Sequence, residues 1–245
     1  MTLIYSLLAA LVVGLISFSG ALSLAIKADK LNKILIYLVS FSAGSMIGAA
    51  FFHLLPEAIG DNSQPLLVFV LVGFSLFFVL ERILRWHHCH NSDCQTHEHL
   101  GWMNLFGDGF HNLIDGMVIF AAFAGGPALG IPVTLSIILH EVPQELGDFG
   151  VLLYSGFSRK RALIYNFLSA CVALIGVILA YLLYSVNGSI STFLLPFAAG
   201  GFIYIAASDL IPEIHKDNKA SRAVISYSLF IVALVFMYFM KVWFE

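Results

Sequence analysis

The chain has 245 residues, of which 60% are hydrophobic and only 11% are charged, and its mean hydropathy is +0.92. In a soluble domain roughly a quarter of the residues would be charged, so this composition predicts an integral membrane protein. The net charge of −3 does not indicate a nucleic-acid partner, and the three cysteines, Cys89, Cys94 and Cys171, do not make a disulfide framework.

Eight stretches are long and apolar enough to cross the hydrocarbon core, which takes about 20 residues. Their continuous apolar runs exclude a transmembrane β-barrel and therefore predict an all-α fold. The first stretch lacks a basic start and is long enough to span, so we interpret it as a membrane helix and not as a signal peptide. The predicted spans, which form a single transmembrane domain over 1–245, are 2–26, 33–58, 65–86, 101–124, 130–155, 160–186, 190–213 and 221–243.

Basic residues alternate between the two sides of these spans. Eleven of the twelve Lys and Arg residues lie near the loops that follow spans one, three, five and seven, and only Lys241 lies on the other side. The positive-inside rule requires this pattern of eight spans that begin and end outside. We therefore predict an integral protein of the cell (inner) membrane with its N- and C-termini outside the cytoplasm.

An internal repeat relates spans two and seven. Residues 41–57, FSAGSMIGAAFFHLLPE, and 197–213, FAAGGFIYIAASDLIPE, are identical at 8 of 17 positions without a gap. The two spans run in opposite directions, so the similarity predicts a 3+2+3 arrangement with inverted repeats of spans 1–3 and 6–8. Inverted repeats are typical of transporters that hold their substrate near the midplane. The alternative is a chance similarity between two apolar helices.

The two central spans carry ionisable residues, each of which costs at least ~2.5 kcal/mol inside a membrane. Span four contains GDGFHNLIDG at 107–116, and span five contains HEVPQELGD at 140–148. His111 and Asp115 are four residues apart and share a helix face. Imidazole and carboxylate ligands suit Zn, Fe, Mn or Co, and the lack of thiolates in both spans argues against Cu(I). A network of polar contacts between helices is the structural alternative.

The same segment of span five partly matches the zincin pattern HExxH. Gln144 stands where the second His would be, and we expect Pro143 to interrupt the helix that such a motif needs. Pro143 should also free a backbone carbonyl near the polar residues. An intramembrane metalloprotease is therefore a weak alternative, and we do not expect an enzyme.

These motifs resemble those of the ZIP (Zrt/Irt-like) family of metal transporters. The resemblance rests on HN-x-x-D-G in span four and HE-x-P-x-E-x-GD in span five, and the latter is similar to the LIV-1 subfamily. It implies an eight-helix fold, transport of a divalent metal ion and a homodimer in the lipid bilayer. We expect uptake of Zn²⁺ into the cytoplasm by alternating access, with Fe²⁺, Mn²⁺ and Co²⁺ as further candidate substrates. The rivals are export, a carrier for a non-metal cation, and a metal-binding sensor or receptor without transport.

The resemblance also implies a set of metal ligands. These are His111, Asn112, Asp115, His140, Glu141 and Gln144. LIV-1 members usually have His where Gln144 stands, which predicts a change in metal preference or affinity. Asn166 lies where some two-metal members have a carboxylate, so its neutral amide predicts a weak second position. Because metals bind deprotonated ligands, binding should fall at low pH as His111 and His140 protonate.

Other polar residues are candidates for additional metal contacts or for the pathway. They are Met46, His53, Glu57, Asp108, Glu145, Asp148, Asn166, Asp209, Glu213 and His215. The candidates at the end of span two should line the entrance of the transport pathway, and those at the end of span seven should line its exit. The alternative is that they only solvate the helix ends. Met46 is either a thioether ligand or, the reading we favour, a core residue. The cytoplasmic His-rich loop at 87–100 predicts loose metal binding through His87, His88, His90, His97 and His99, unless it is an unstructured polar loop.

Overall fold

The structure is a computed structural model that describes residues 1–25, 28–60, 66–86, 98–186, 190–216 and 220–244. All regular structure in these residues is helical. The eight segments are α1 (Thr2–Ile16, continued by a 3₁₀ helix at Ser17–Ala25), α2 (Ala28–Gly48, a π-helix at Ala49–Leu54, and Leu55–Gly60), α3 (Leu66–Trp86), α4 (Glu98–Ala124), α5 (Pro127–Tyr154), α6 (Arg159–Ala170 and Val172–Val186), α7 (Ile190–Ile205, a π-helix at Ala206–Leu210, and Ile211–His215) and α8 (Ala220–Phe244).

The helices lie over the eight predicted spans. The largest difference is at the start of the second one, which was predicted at 33 and begins at Ala28. Five helices are long and apolar enough to cross a membrane in the described part of the chain: Thr2–Ala21, Lys33–Ile59, Arg159–Val186, Thr192–His215 and Arg222–Phe244. Helices α4 and α5 carry the polar motifs and pack in the middle of the bundle.

The helical bends have causes in the sequence. Both π-helices end just before a proline, Pro56 in α2 and Pro212 in α7. Proline has no N–H and its ring clashes with the carbonyl four residues earlier, and the wider π turn relieves this crowding. At the turn before α5, Gly126 has a φ of 115°, a left-handed conformation that favours glycine.

Helix α5 is continuous through Pro143, so the predicted interruption at this proline is wrong. Pro143 cannot donate to the carbonyl of Leu139, four residues earlier. That carbonyl instead accepts a hydrogen bond from the hydroxyl of Ser42 in α2, at 2.5 Å. A neighbouring helix thus satisfies the freed group, which is how proline is tolerated in membrane helices.

Helix pairing agrees with the inverted repeat. Helix α2 packs most closely against α8, and its repeat counterpart α7 packs most closely against α3. A methyl group on Gly44 of α2 would lie 2.3 Å from the carbonyl oxygen of Phe230, and one on Gly73 of α3 would lie 2.0 Å from that of Phe197. Backbones in direct contact through glycine are typical of membrane helices. Since spans three and eight are repeat counterparts, the two helix pairs are equivalent, and a methyl group on Gly200, which corresponds to Gly44, would make the matching contact with the carbonyl oxygen of Val70 at 2.0 Å.

Candidate metal centre

Helices α4 and α5 bring the polar motifs together because they lie side by side in the centre of the bundle. On α4, Asp108, His111 and Asp115 follow one another at intervals of three and four residues, so they share one face. On α5, His140 and Glu141 point toward that face, since their ligand atoms lie beside those of α4.

Four side chains converge on one point: His111, Asp115, His140 and Glu141 each offer one ligand atom, and these atoms lie within 4.8 Å of one another. The two Nε2 atoms are 3.2 Å apart. The Oδ2 atom of Asp115 lies 3.2 Å from Nε2 of His140 and 3.7 Å from that of His111. Glu141 Oε1 lies 3.5 and 3.7 Å from the His111 and His140 nitrogens. A tetrahedral zinc ion with bonds of about 2.0–2.2 Å separates its ligands by about 3.3–3.6 Å, which is close to this spacing.

The backbone fixes the orientation of the His140 ring. Its Nδ1 lies 3.1 Å from the carbonyl oxygen of Ser136. A carbonyl oxygen only accepts, so Nδ1 carries the hydrogen and Nε2 of the neutral ring presents a lone pair. This lone pair faces Oδ2 of Asp115 and Nε2 of His111. The arrangement brings electron-rich atoms together and favours a cation between them.

The four-residue cluster is largely buried. The His111 side chain is 13% exposed, and those of the other three residues are at most 1% exposed. The rings of Phe77 and Phe202 stand edge-on to the two imidazoles, with centroid distances of 6.1 and 5.7 Å. Oδ1 of Asp115 and both carboxylate oxygens of Glu141 have no hydrogen-bond partner among the described residues. Because such buried oxygens are costly, a bound cation would stabilise the site.

A second group of carboxylates adjoins the first. Ligand oxygens of Asp108, Glu141 and Glu145 lie within 4.8 Å of one another, and all three side chains are buried. Oδ2 of Asp108 and Oε1 of Glu145 have no hydrogen-bond partner in the described part of the chain. Ionised carboxylates this close repel one another, so the group requires protons or a cation. Glu141 belongs to both groups and connects them.

Amide side chains hold these carboxylates in place. Nδ2 of Asn112 donates to the Asp108 carboxylate at 2.9 Å, and Nε2 of Gln144 donates to the same oxygen at 3.2 Å. Oδ1 of Asn112 is buried without a hydrogen-bond partner among the described residues. From α6, Asn166 donates to the carboxylate of Glu145. Asn112 and Gln144 therefore contact Asp108 with their nitrogens, which leaves their oxygens as the atoms that could bind metal.

A cavity of about 720 Å³ leads away from the centre between α3, α4, α5 and α7. Its lining includes His111 of the four-residue cluster and the neighbouring Gln144. Its wall includes four acidic residues, which are Glu81, Asp108, Asp148 and Asp209. By the predicted topology, this end of the bundle faces the cytoplasm.

The candidates on α2 lie away from this cavity wall. Met46 is fully buried in the hydrophobic core, in accordance with the core reading. His53 is buried, and its Nε2 lies 3.0 Å from the carbonyl oxygen of Met237 in α8. Glu57 is exposed near the end of α2. A role of His53 and Glu57 in an entrance stays a prediction.

The candidates that end α7 are more exposed. Asp209 lines the cavity, whereas His215 and Glu213 are exposed at the helix end. Glu213 forms an ion pair with Lys216, at 2.5 Å. The predicted loop histidines His87, His88, His90 and His97 lie outside the described residues, and of His99 only the backbone, in α4, is described.

Sequence reasoning missed a polar contact at the cavity wall. Tyr204 of α7 donates a hydrogen bond to Glu81 of α3, and the hydroxyl of Ser208 lies 3.5 Å from the same carboxylate oxygen. Glu81 is the single acidic residue of the predicted span 65–86, and this could have identified it. Asn104 was also missed; it donates to Asp148 at 3.0 Å.

Known proteins resemble this chain over most of its length. The family model described as "ZIP Zinc transporter" matches residues 1–88 and 86–241. Zinc transporter zipt-7.1 of Caenorhabditis briggsae is 30% identical over 259 residues, which cover 78% of this chain and 66% of that protein. Zinc transporter ZIP13 of Pongo abelii is 30% identical over 216 residues, with 82% and 65% covered. Zinc transporter ZIP10 of Homo sapiens is 38% identical over 147 residues, with 55% and 18% covered.

The chain thus spans less than two thirds of the length of these curated relatives. The matching family consists of transporters and not of enzymes, so the metalloprotease alternative is abandoned. Its fold is all-α with eight membrane-crossing helices, in agreement with the eight helices described above. By the extent of the family match, the chain belongs to the ZIP zinc transporter family.

Proposed function

We propose that this protein transports a divalent transition metal ion, with zinc as its principal substrate, from outside into the cytoplasm by alternating access. The observation that carries the proposal is the buried convergence of His111, Asp115, His140 and Glu141, whose four ligand atoms lie within 4.8 Å. Zinc transport is also what the names of the relatives state for those proteins.

The donor set supports zinc over other cations. Two imidazole nitrogens and two carboxylate oxygens form a mixed N/O set that suits Zn²⁺, and also Fe²⁺, Mn²⁺ and Co²⁺, better than an alkali cation. The spacing of the four atoms fits a tetrahedral ion with bonds of about 2.0–2.2 Å. Asn112 and Gln144 complete the proposed ligand set through their amide oxygens.

The carboxylate group of Asp108, Glu141 and Glu145 is the proposed second metal position. Asn166 contributes an amide that donates to Glu145, so the negative charge comes from α4 and α5 and not from α6. Since Glu141 belongs to both groups, an ion could stay bound to Glu141 while it passes from one group to the other. Asp148 and Asp209 would then receive the ion in the cavity.

The direction of transport is argued from the cavity and the predicted topology. The cavity opens the centre toward the end of the bundle that carries most of the basic residues, which is the predicted cytoplasmic side. Release into the cytoplasm would follow from this inward opening. His53 and Glu57 remain the proposed entrance, the homodimer remains an expectation from the family, and both termini are proposed to lie outside.

Zinc flux into proteoliposomes tests the transport proposal. Purified protein should accumulate radioactive zinc inside the vesicles, and His140→Ala and Asp115→Ala should each reduce the initial rate at least about 100-fold, because each removes a ligand. Ser228→Ala is the control, since this hydroxyl is exposed and bonds only within α8. Binding of zinc without flux would identify a sensor, and unchanged flux in the two variants would refute the site.

A further inference from the structure

A groove of about 480 Å³ lies between α4 and α6 and shares Phe106 and Phe110 with the wall of the cavity of the metal centre. Its lining is almost wholly apolar and includes Trp102, Phe106, Phe110, Tyr165 and Leu168. Phe106 is 74% exposed and Leu168 55% exposed, so the groove opens sideways from the bundle and not into its interior.

The groove has the shape of a wedge. At its narrow end the two backbones touch, because a methyl group on Gly116 would lie 1.9 Å from the carbonyl oxygen of Ala173. Two turns earlier in α4, a methyl group on Gly109 would lie 3.2 Å from the hydroxyl of Ser169. The helices therefore diverge toward Trp102. From Trp102 to Leu113 the groove extends about 16 Å along α4, which is close to the ~15 Å of one leaflet of the hydrocarbon core.

Three consecutive basic residues stand at the wide end of the groove. Arg159, Lys160 and Arg161 form the first turn of α6, and all three are exposed. Within the described residues none of them forms an ion pair. Arg161 precedes Tyr165 by four residues and Leu168 by seven, so it lies on the helix face that lines the groove.

Aromatic side chains mark the boundary between these two environments. Trp102 contacts both Tyr165 and Phe157, with ring centroids 5.3 and 5.5 Å apart. Trp and Tyr favour the depth of the lipid headgroups, where one part of the ring is apolar and the other meets water. The wide end of the groove is therefore placed at the membrane surface, beside the basic residues.

From these features we propose that the groove binds one anionic phospholipid. Its phosphate is held by Arg159, Lys160 and Arg161, and one acyl chain lies between α4 and α6 against Phe106 and Leu168. Positive charge at the surface end and an apolar wedge of leaflet length are the two properties that such a lipid requires. The groove contains none of the proposed metal ligands, although Phe106 and Phe110 also line the cavity of the metal centre.

Lipid retention by the purified full chain tests the proposal. The protein is reconstituted in nanodiscs that hold equal amounts of phosphatidylglycerol and phosphatidylcholine, and lipids retained after transfer to detergent are counted by native mass spectrometry. We expect one phosphatidylglycerol to be retained. Replacing Arg159, Lys160 and Arg161 by Gln should reduce this retention by about tenfold or more, since each basic residue near the surface contributes to anionic lipid binding.

Matched variants separate the groove from general effects of charge and packing. Replacing Lys33, Lys216 and Arg222 by Gln removes the same charge elsewhere on the predicted cytoplasmic side and should leave retention unchanged. Leu168→Trp should fill the groove and displace the lipid, whereas Leu182→Trp, at a lipid-facing position of equal exposure on α6, should not; the two side chains are 55% and 54% exposed. Equal retention of the two lipids by the wild type, or equal effects of groove and control variants, would overturn the proposal.

Discussion

His140 shows how one side chain sets the chemistry of the centre. The Ser136 carbonyl fixes its Nδ1 as a donor, and Nε2 is then free to bind a cation. The neighbouring Asp115 and Glu141 place oxygens at ligand spacing from that nitrogen. A hydrogen bond to the backbone of the same helix is thus sufficient to orient the imidazole for the proposed metal binding.

Gln144 is the residue at which metal preference can be tested. Its side chain reaches Asp108 from the face of α5 that also carries His140. A ring nitrogen at position 144 would therefore lie near the four-residue cluster and near the adjoining carboxylates. Gln144→His should raise the preference for Zn²⁺ over Mn²⁺ by roughly tenfold, because imidazole is a better ligand for zinc. Competition between the two ions for binding to the purified protein measures this ratio. A ratio equal to that of the wild type would place Gln144 outside the metal shell.

At the scale of helices, contacts between backbones position the metal centre. Helix α4 lies against α6 at Gly116 and Ala173, and α5 is tied to α2 through Ser42 and Leu139. Neither contact involves a proposed metal ligand. Both hold the two ligand-bearing helices against the rest of the bundle, so their loss should act on stability before it acts on chemistry.

Ser42→Ala should destabilise the protein by about 1–3 kcal/mol, because it leaves the Leu139 carbonyl buried without a hydrogen bond. Ser40→Ala is the matched control. Its hydroxyl donates to the carbonyl oxygen of Ile36 in the same helix, and the backbone hydrogen bonding of the helix also serves this carbonyl. Thermal unfolding of both variants in the same detergent gives the comparison. Equal losses would mean that the freed carbonyl is satisfied in another way.

Gly116→Ala should destabilise the α4–α6 contact by about 1–3 kcal/mol, because the added methyl group collides with backbone and not with a flexible side chain. Gly147→Ala in α5 provides the contrast, since nothing lies within 4 Å of the position of its Cβ. There the change should be neutral or stabilising by up to about 1 kcal/mol through helix propensity. Thermal unfolding should therefore show a loss of stability for Gly116→Ala and none for Gly147→Ala. A stable Gly116→Ala protein would contradict the close contact.

At the scale of the whole molecule, the inverted repeat places α4 and α5 between two equivalent pairs, α2 with α8 and α7 with α3. The centre lies in the middle pair, and the cavity opens it on one side. This asymmetry within a pseudo-symmetric frame is consistent with the proposed alternating access, in which the opposite opening would use the other half of the repeat.

The predicted topology can be tested through the cavity. Val151 lines it and is 37% exposed. In a protein whose Cys89, Cys94 and Cys171 are replaced by Ser, Val151→Cys should react with a membrane-impermeant thiol reagent from the cytoplasmic side only, and bound zinc should slow the reaction. Tyr227→Cys, which is 68% exposed on the surface of α8, controls for reaction through lipid. Labelling from the outside would reverse the proposed direction.

Much of the fold was accessible from the sequence because lipid imposes simple rules. Apolar length determines the helices, and the basic residues give a consistent orientation. The convergence of His111, Asp115, His140 and Glu141 agrees with their spacing on two adjacent helices. The amide contacts of Asn112 and Gln144 with Asp108 were not predictable, since spacing gives a face but not which atom of an amide is turned inward.

Irregular backbone was the part that sequence reasoning could not supply. Pro143 was expected to break α5, but whether a proline interrupts a helix depends on a partner for the freed carbonyl, and this partner is Ser42 on another helix. Likewise, Pro56 and Pro212 were seen only as part of the repeat, whereas each follows a π-helix. Such outcomes depend on neighbours that are distant in the chain.

The paired π-helices give α2 and α7 a property that straight helices lack. The π-helices are Ala49–Leu54 in α2 and Ala206–Leu210 in α7. Each contains more residues per turn than an α-helix does. If one π-helix tightened to α geometry, the segment beyond it would turn by about 100° and shift by about 1.5 Å while the helix stayed intact. The end of α2 and the end of α7, which lie on opposite sides of the bilayer in the predicted topology, could thereby each rotate and shift along the helix axis independently of the other.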